Sequence, residues 1–462
     1  MFSGQSGRWL GGYGVVVATL LAGCNLMPAS RPELLPAQVH RVDVSPKAPP
    51  VAIVNALLWT GDEQNRRIEK GTILVRDGLI AAVGDASVTV PQGVQIIDAG
   101  GRWVTPGLID AHSHLGVYPV PSVSAHEDGN ELTDPVTPDV QAIHSFWPQD
   151  PGLSHARAAG VTSMLILPGS GNLIGGRGFS VKNRSARSAE GMRFPGSPDV
   201  LKMACGENPK RVYGGKSGPA SRMGNLARLR AAYLKAKDYG ARWSQWEKTQ
   251  KQKGEKPPER DLKLETLVDV MAGKIQVQNH CYRADEMLLM LDIAREMGFT
   301  IRAFHHAVEA YKIADVLAAE NVAVATWADW WGFKMEAYDG IQENLALVHA
   351  AGGRAVVHSD SPIGIQHLNV YAAQGLAVGR EMGLQLSEDD ALRWITINPA
   401  WAMGVHEQTG SLEVGKMADL VLWSGHPLSI YSKPDRVLID GHSVFERNGA
   451  ASKTDFELGT AP

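Results

Sequence analysis

From Val51 onward, apolar and polar residues alternate in short runs, the two-residue period of strands with one buried face. Val51 to Leu58, Gly71 to Val75, Leu79 to Val83 and Gln95 to Asp98 follow one another, with Arg76-Asp77-Gly78 as a hairpin turn. A second such region spans Asp419 to Trp423, Arg436 to Ile439 and Ser443 to Phe445, with Asp440-Gly441 as a turn. Two terminal β segments around a long middle predict one β-sandwich domain built from both ends of the chain, residues 51–106 and 405–450. Between them, eight runs read as strands: Leu108 to His114, Thr162 to Pro168, Gly178 to Asn183, Val200 to Glu207, Ile275 to Cys281, Thr300 to His306, Asn321 to Asp329 and Arg354 to Asp360. Several lead into good helix formers, such as Ala284 to Glu296 and Glu309 to Ala319. Strand–helix repeats of this kind predict an α/β fold, a (β/α)8 TIM barrel over residues 107–404. Only the Gly-rich stretch Gly169 to Gly178 joins two strands without an obvious helix. Residues 218–267 form a polar helical insertion, in which the charged Lys248 to Pro258 reads as a solvated surface arm.

The N-terminus has a different texture. Arg8 precedes the apolar run Val15 to Leu21, too short to span a membrane, which ends in Leu21-Ala22-Gly23-Cys24. That ending resembles the bacterial lipobox, which implies a signal peptide over residues 1–24 and lipidation of Cys24. Asn25 after the cysteine implies the outer membrane, facing the periplasm, with membrane contact through the lipid anchor only. Residues 25–50, rich in Pro, Ala and Ser, read as a flexible linker. Cys205 and Cys281 remain. An exported protein can pair them, but they would have to reach across the barrel, so buried free thiols are the plainer expectation. A net charge of −4 over 462 residues argues against nucleic acid as a partner. The oligomeric state is left open.

The 15 histidines change the picture. Residues two apart on a strand share a face, so His112 and His114 project together at the C-terminal end of the first barrel strand, where barrel enzymes place their sites. Two imidazoles so placed can share a zinc ion. Other strands end on residues of metal-binding type: Cys205-Gly206-Glu207, Gln278-Asn279-His280, His305-His306 and His358-Ser359-Asp360. One such ending is ordinary; five converging on one mouth imply a site.

At this point the chain resembles the amidohydrolase superfamily of metal-dependent hydrolases, near its imidazolonepropionase and prolidase-like branch. Pro106 to His114 is similar to the family's opening motif, and Thr409-Gly410-Ser411-Leu412 with Gly415 to Val421 to its closing motif. The resemblance implies His112, His114, His280, His306 and Asp360 as ligands of one or two divalent metal ions, zinc first among them. It also implies a carboxylated Lys or a Glu from the fourth strand as a bridge; Glu207 is the choice, with Lys182 on the third strand as its rival. The implied reaction is hydrolysis of an amide-type C–N bond in a small molecule, such as a cyclic amide, an acyl-amino acid or a dipeptide, by a metal-activated hydroxide. Asp360 then serves as general base and acid, and His306 or His305 steadies the oxyanion. His358 is either a partner behind a ligand or a satisfied core histidine.

Lys210, Arg211 and Tyr213 are candidate substrate contacts, with His305, against the alternative of a solvated loop. Trp327, Trp330 and Trp331 offer an apolar wall or a packing cluster. Two other functions stay open: a mononuclear deaminase of an amino-substituted ring, and a non-catalytic binding lipoprotein.

Overall fold

The computed structural model describes residues 48–449 apart from Trp331. The expected signal peptide, Cys24 and residues 25–47 of the expected linker lie outside the described residues. Two sheets organise the rest. The first collects β1 (Val51–Trp59), β2 (Arg67–Arg76), β3 (Leu79–Gly84), β4 (Gln95–Asp98) and β5 (Trp103–Pro106). The barrel sheet follows: β6 (Leu108–Ser113), β7 (Val161–Ile166), β8 (Ile174–Lys182), β9 (Val200–Ala204), β10 (Gln276–Cys281), β11 (Ile301–His306), β12 (Ala323–Thr326) and β13 (Arg354–Val357). The chain then returns to the first sheet as β14 (Leu420–Trp423), β15 (Pro434–Ile439) and β16 (His442–Glu446).

In the first sheet β14 pairs with β5 across the two ends of the chain, while β1 pairs with β4 along its first half and β5 along its second. Both two-residue hairpins work as their sequences suggest. Asp77-Gly78 and Asp440-Gly441 all have positive φ, the mirror-image turn that matches strand twist.

The barrel strands lie in sequence order, β6 to β13, and the sheet nearly closes. Asp360 N donates to His112 O at 3.2 Å across the remaining gap. One strand departs from regular alternation. β8 starts at Ile174, inside the expected Gly-rich connector, and runs antiparallel to both β7 and β9. No helix separates β7 from β8 because the chain doubles back as a hairpin; Lys182 therefore pairs with Ser163, near the start of β7. The expected polar insertion contains the helix Arg222–Gln245, capped by the Ser221 side chain, and runs into the helix Leu262–Met271.

Candidate metal centre

At the end of β6, His112 and the residue just past the strand, His114, come together with Nε2 atoms 3.3 Å apart. Asp360 Oδ1 lies 3.4 Å from His112 Nε2 and 3.1 Å from His114 Nε2. A tetrahedral ion with bonds of about 2.1 Å separates its ligand atoms by about 3.4 Å, so the three atoms are spaced as ligands of one ion. His114 Nδ1 faces the Leu167 carbonyl at 2.8 Å. A carbonyl only accepts, so Nδ1 carries a proton and Nε2 is the atom turned toward His112 and Asp360.

His306 Nδ1 stands 3.8 Å from Asp360 Oδ2, and the His280 ring centre 4.5 Å from that of His306. Both ring nitrogens of His280, His306 Nδ1 and Lys202 Nζ are buried with no hydrogen-bond partner among the described residues. Each such orphan costs about 1–3 kcal/mol. The bare imidazole nitrogens of His280 and His306 fit a bound cation, which would satisfy them. The backbone shows a related cost: His306 (φ 70°) and Asp360 (φ 51°) sit in the left-handed region that side chains other than glycine avoid.

The electrostatics suit ligands. Burial holds His112, His280 and His306 well below the ordinary imidazole value, and Lys202 and neighbouring imidazoles add to it. All three are neutral, as a ligand must be. Burial alone would raise Asp360, but His114, through hydrogen bonding and charge, and the charges of His358 and Lys202 leave it below the usual carboxylate value. Lys202 is pushed down to about 8 by burial, against the pull of Asp360. Beneath the cluster, Asp110 accepts from His112 N at 3.0 Å, from Ser359 N at 3.3 Å and from the Ser359 hydroxyl, tying the ends of β6 and β13 together. Burial pushes its carboxyl up to about 7, against these bonds.

Several expected residues lie elsewhere. Glu207 is the first residue of the helix Glu207–Tyr213 rather than a strand end. Its carboxylate pairs with Lys334 Nζ at 3.0 Å and is 32% exposed, outside the cluster. The turn before it needs glycine: Gly206 has φ 81°, and a Cβ there would strike the Glu336 carboxylate. Lys182 is also excluded, because the reversal of β8 carries it to the other end of the barrel, where it pairs with Asp419 and Asp440. Tyr213 is buried, its hydroxyl bonded to Asn172 and the Asp134 carbonyl, so it holds loops together. His305 is fully buried behind His112 rather than at the mouth. His358 Nε2 accepts from the His306 backbone N at 3.3 Å, which makes it a partner behind a ligand. Arg211 is exposed, and Lys210 lines a charged 630 Å³ cavity with Arg222, Arg283, Lys312 and Glu336. Cys205 and Cys281 form a disulfide with Cα atoms 5.3 Å apart, contrary to the expected free thiols. No reach across the barrel is needed, since β9 and β10 are neighbours in register.

Lys202, Asp110 and Tyr282 were missed by the sequence reading. The available signal for Lys202 was a single lysine inside the apolar run Val200-Leu201-Lys202-Met203-Ala204. The Tyr282 ring stacks on His306 at 5.3 Å, and Trp327 stacks on His306 at 4.5 Å. Trp330 stacks in turn on Trp327, extending an aromatic wall to the surface; Trp331 is outside the described residues.

The chain is similar to known proteins. The sequence profile described as Amidohydrolase family matches residues 265–444. A solved amidohydrolase from Thermotoga maritima MSB8 aligns with TM-score 0.79 and 38% identity, over 86% of this chain and 100% of that one. Among curated proteins, amidohydrolase tasK of Hapsidospora irregularis is 35% identical over 440 residues, 87% of this chain; the chain spans only 44% of that protein's length. An imidazolonepropionase of Mesorhizobium japonicum is 27% identical over 77% of this chain and 87% of its own.

Proposed function

The chain belongs to the amidohydrolase family, and on that premise we propose that it is a metal-dependent hydrolase of an amide-type C–N bond in a small molecule: a cyclic amide, an acyl-amino acid or a dipeptide. The observation that carries this reading is the approach of His112, His114 and Asp360 to within 3.1–3.4 Å, beside the unpartnered nitrogens of Lys202, His280 and His306. These six residues would hold one or two divalent ions, with zinc the first candidate for an imidazole and carboxylate set. A bound ion supplies Lewis acidity toward a carbonyl oxygen and lowers the pKa of water from about 15.7 to about 7.

The chain's own groups do the rest. Lys202, rather than Glu207, would supply the fourth-strand ligand toward the ions. Its amine joins carbon dioxide to give a carbamate and a proton, which puts an anionic oxygen pair inside the barrel. Asp360, held ionised, takes a proton from the attacking water and delivers it to the leaving nitrogen. Tyr282, whose ring stacks on His306, places a phenol beside the cluster. Burial keeps it protonated at neutral pH, so it is free to donate to the oxygen that gains charge.

The test joins elemental analysis after zinc reconstitution to a panel of lactams, acyl-amino acids, dipeptides and amino-substituted rings. Two metals per chain with turnover of an amide supports the reading. One metal with release of ammonia from a ring favours a deaminase instead. A protein that takes up no transition metal refutes the proposal. On the substrate found, Asp360→Asn is expected to lower kcat by about 10²–10⁴-fold.

A further inference from the structure

His305 lies one residue before the ligand His306, yet it faces a different neighbour. Its Nδ1 is 2.9 Å from His112 Nδ1, and its Nε2 is 2.7 Å from Gln278 Oε1. Gln278 Nε2 in turn donates to the Ala402 carbonyl at 2.9 Å. All three side chains are fully buried, so water does not complete these contacts. Ala402 is the last residue of the helix Ile397–Ala402, and its carbonyl is one of those a helix end leaves without an internal donor.

The direction of every bond in this chain follows from that carbonyl. It can only accept, so the Gln278 amide must turn its NH2 toward Ala402 and its oxygen toward His305. That oxygen can only accept, so His305 Nε2 carries the proton. A neutral imidazole has one N–H, so His305 Nδ1 is the acceptor, and His112 Nδ1 must donate to it. His112 Nε2 is thereby left bare, and this is the atom 3.3 Å from His114 Nε2 and 3.4 Å from Asp360.

We propose that Gln278 and His305 form a relay from the end of the helix Ile397–Ala402 to His112, fixing the tautomer in which His112 can bind metal. Both are positioning residues: neither touches the ion, and each acts through His112. The inference rests on the metal-dependent reading above. Without the Gln278 oxygen, His305 is free to carry its proton on Nδ1. It would then donate to His112 and force the His112 proton onto Nε2, where it blocks coordination.

The test uses the full chain and zinc itself. Gln278→Met keeps length and apolar fit but removes the acceptor. His305→Phe removes the next link and is made separately, so either variant carries the test alone. Zinc affinity is read by chelator competition, and melting of the metal-free protein is read alongside. Each variant is expected to weaken zinc binding by about 10–100-fold, the usual effect of losing a partner behind a metal-binding histidine. The double variant should be no weaker than His305→Phe. Gln278→Glu should restore near-normal affinity, because a neutral carboxylic acid donates to Ala402 and accepts from His305 as the amide does. Variants that melt lower but bind zinc like the unaltered protein would overturn the relay while leaving the function standing. If the unaltered protein binds no zinc, the functional reading itself has failed.

Discussion

Lys182 and Lys202 sit on neighbouring strands and are both fully buried, yet they live in opposite surroundings. Lys182 Nζ lies 2.8 Å from Asp419 and 2.6 Å from Asp440, and 5.1 Å from the centre of the Phe194 ring. Lys202 Nζ has no hydrogen-bond partner among the described residues, and its value falls to about 8 through burial. The antiparallel course of β8 causes the difference, because it sends one lysine toward the first sheet and leaves the other among the histidines. A buried ammonium between two carboxylates is a structural clamp. A buried amine without a hydrogen-bond partner sits in a costly state that becomes favourable when the amine reacts or a ligand arrives.

Parallel substitutions should separate these roles. Lys182→Met strands the Asp419 carboxylate, and we expect a loss of about 3–5 kcal/mol in unfolding free energy, with metal content per folded chain unchanged. Lys202→Met removes an unpaired polar group, so the metal-free protein should melt no lower. It should lose bound metal, and at least about 100-fold in kcat/KM. Denaturant unfolding and elemental analysis on both variants decide the matter; if Lys202→Met keeps its metal, the contrast collapses.

The same pair shows what could be read from the amino acids alone. The eight barrel strands were legible because each is an apolar run of the right length, and the candidate ligands because the runs end on His or Asp. Strand direction is not encoded in such a pattern, so Lys182 could not be sent to the far end of the barrel. Lys202 was hidden for a different reason: a lysine inside a strand reads as a solvated edge until the neighbouring strands are known to bury it. Glu207 looked like a strand-end carboxylate because sequence does not mark where β9 stops and the helix starts. The disulfide needed the knowledge that β9 and β10 are neighbours in register, which places Cys205 beside Cys281.

Glu336 lies between the two extremes. Its carboxylate accepts from Arg222 at 2.6 Å and from Glu207 N at 2.9 Å, yet its value rises to about 7. Burial is the main cause and Glu286 adds to it, against the pull of Arg222 and Lys334. The folded state therefore holds a proton that the unfolded chain, with its ordinary value of 4.5, releases. Stability from this group is complete below about pH 4.5 and lost as pH rises through about 7, a swing of at most about 3 kcal/mol. Glu336→Gln should flatten that part of the profile. Unfolding at pH 5, 6, 7 and 8 checks it, and equal slopes for the two proteins would place Glu336 with the fully clamped Lys182.

The smallest effect is expected at Glu207, and it bears directly on Lys202. The Glu207–Lys334 pair is partly exposed on both sides, and such pairs contribute only about 0–1 kcal/mol. Glu207→Ala should therefore leave melting and the number of bound metals almost unchanged. It does leave Lys334 with only Glu336 at 3.9 Å and Asn208 as polar partners among the described residues, and its ammonium sits 4.0 Å over the Tyr282 ring beside the cluster. We therefore expect the main change in KM rather than kcat, since Lys334 borders the mouth and touches no proposed ligand. A loss of one metal from Glu207→Ala would reverse the assignment. The bridging carboxylate would then come from a helix that reorganises to reach the ions, and the unpartnered amine of Lys202 would need another explanation.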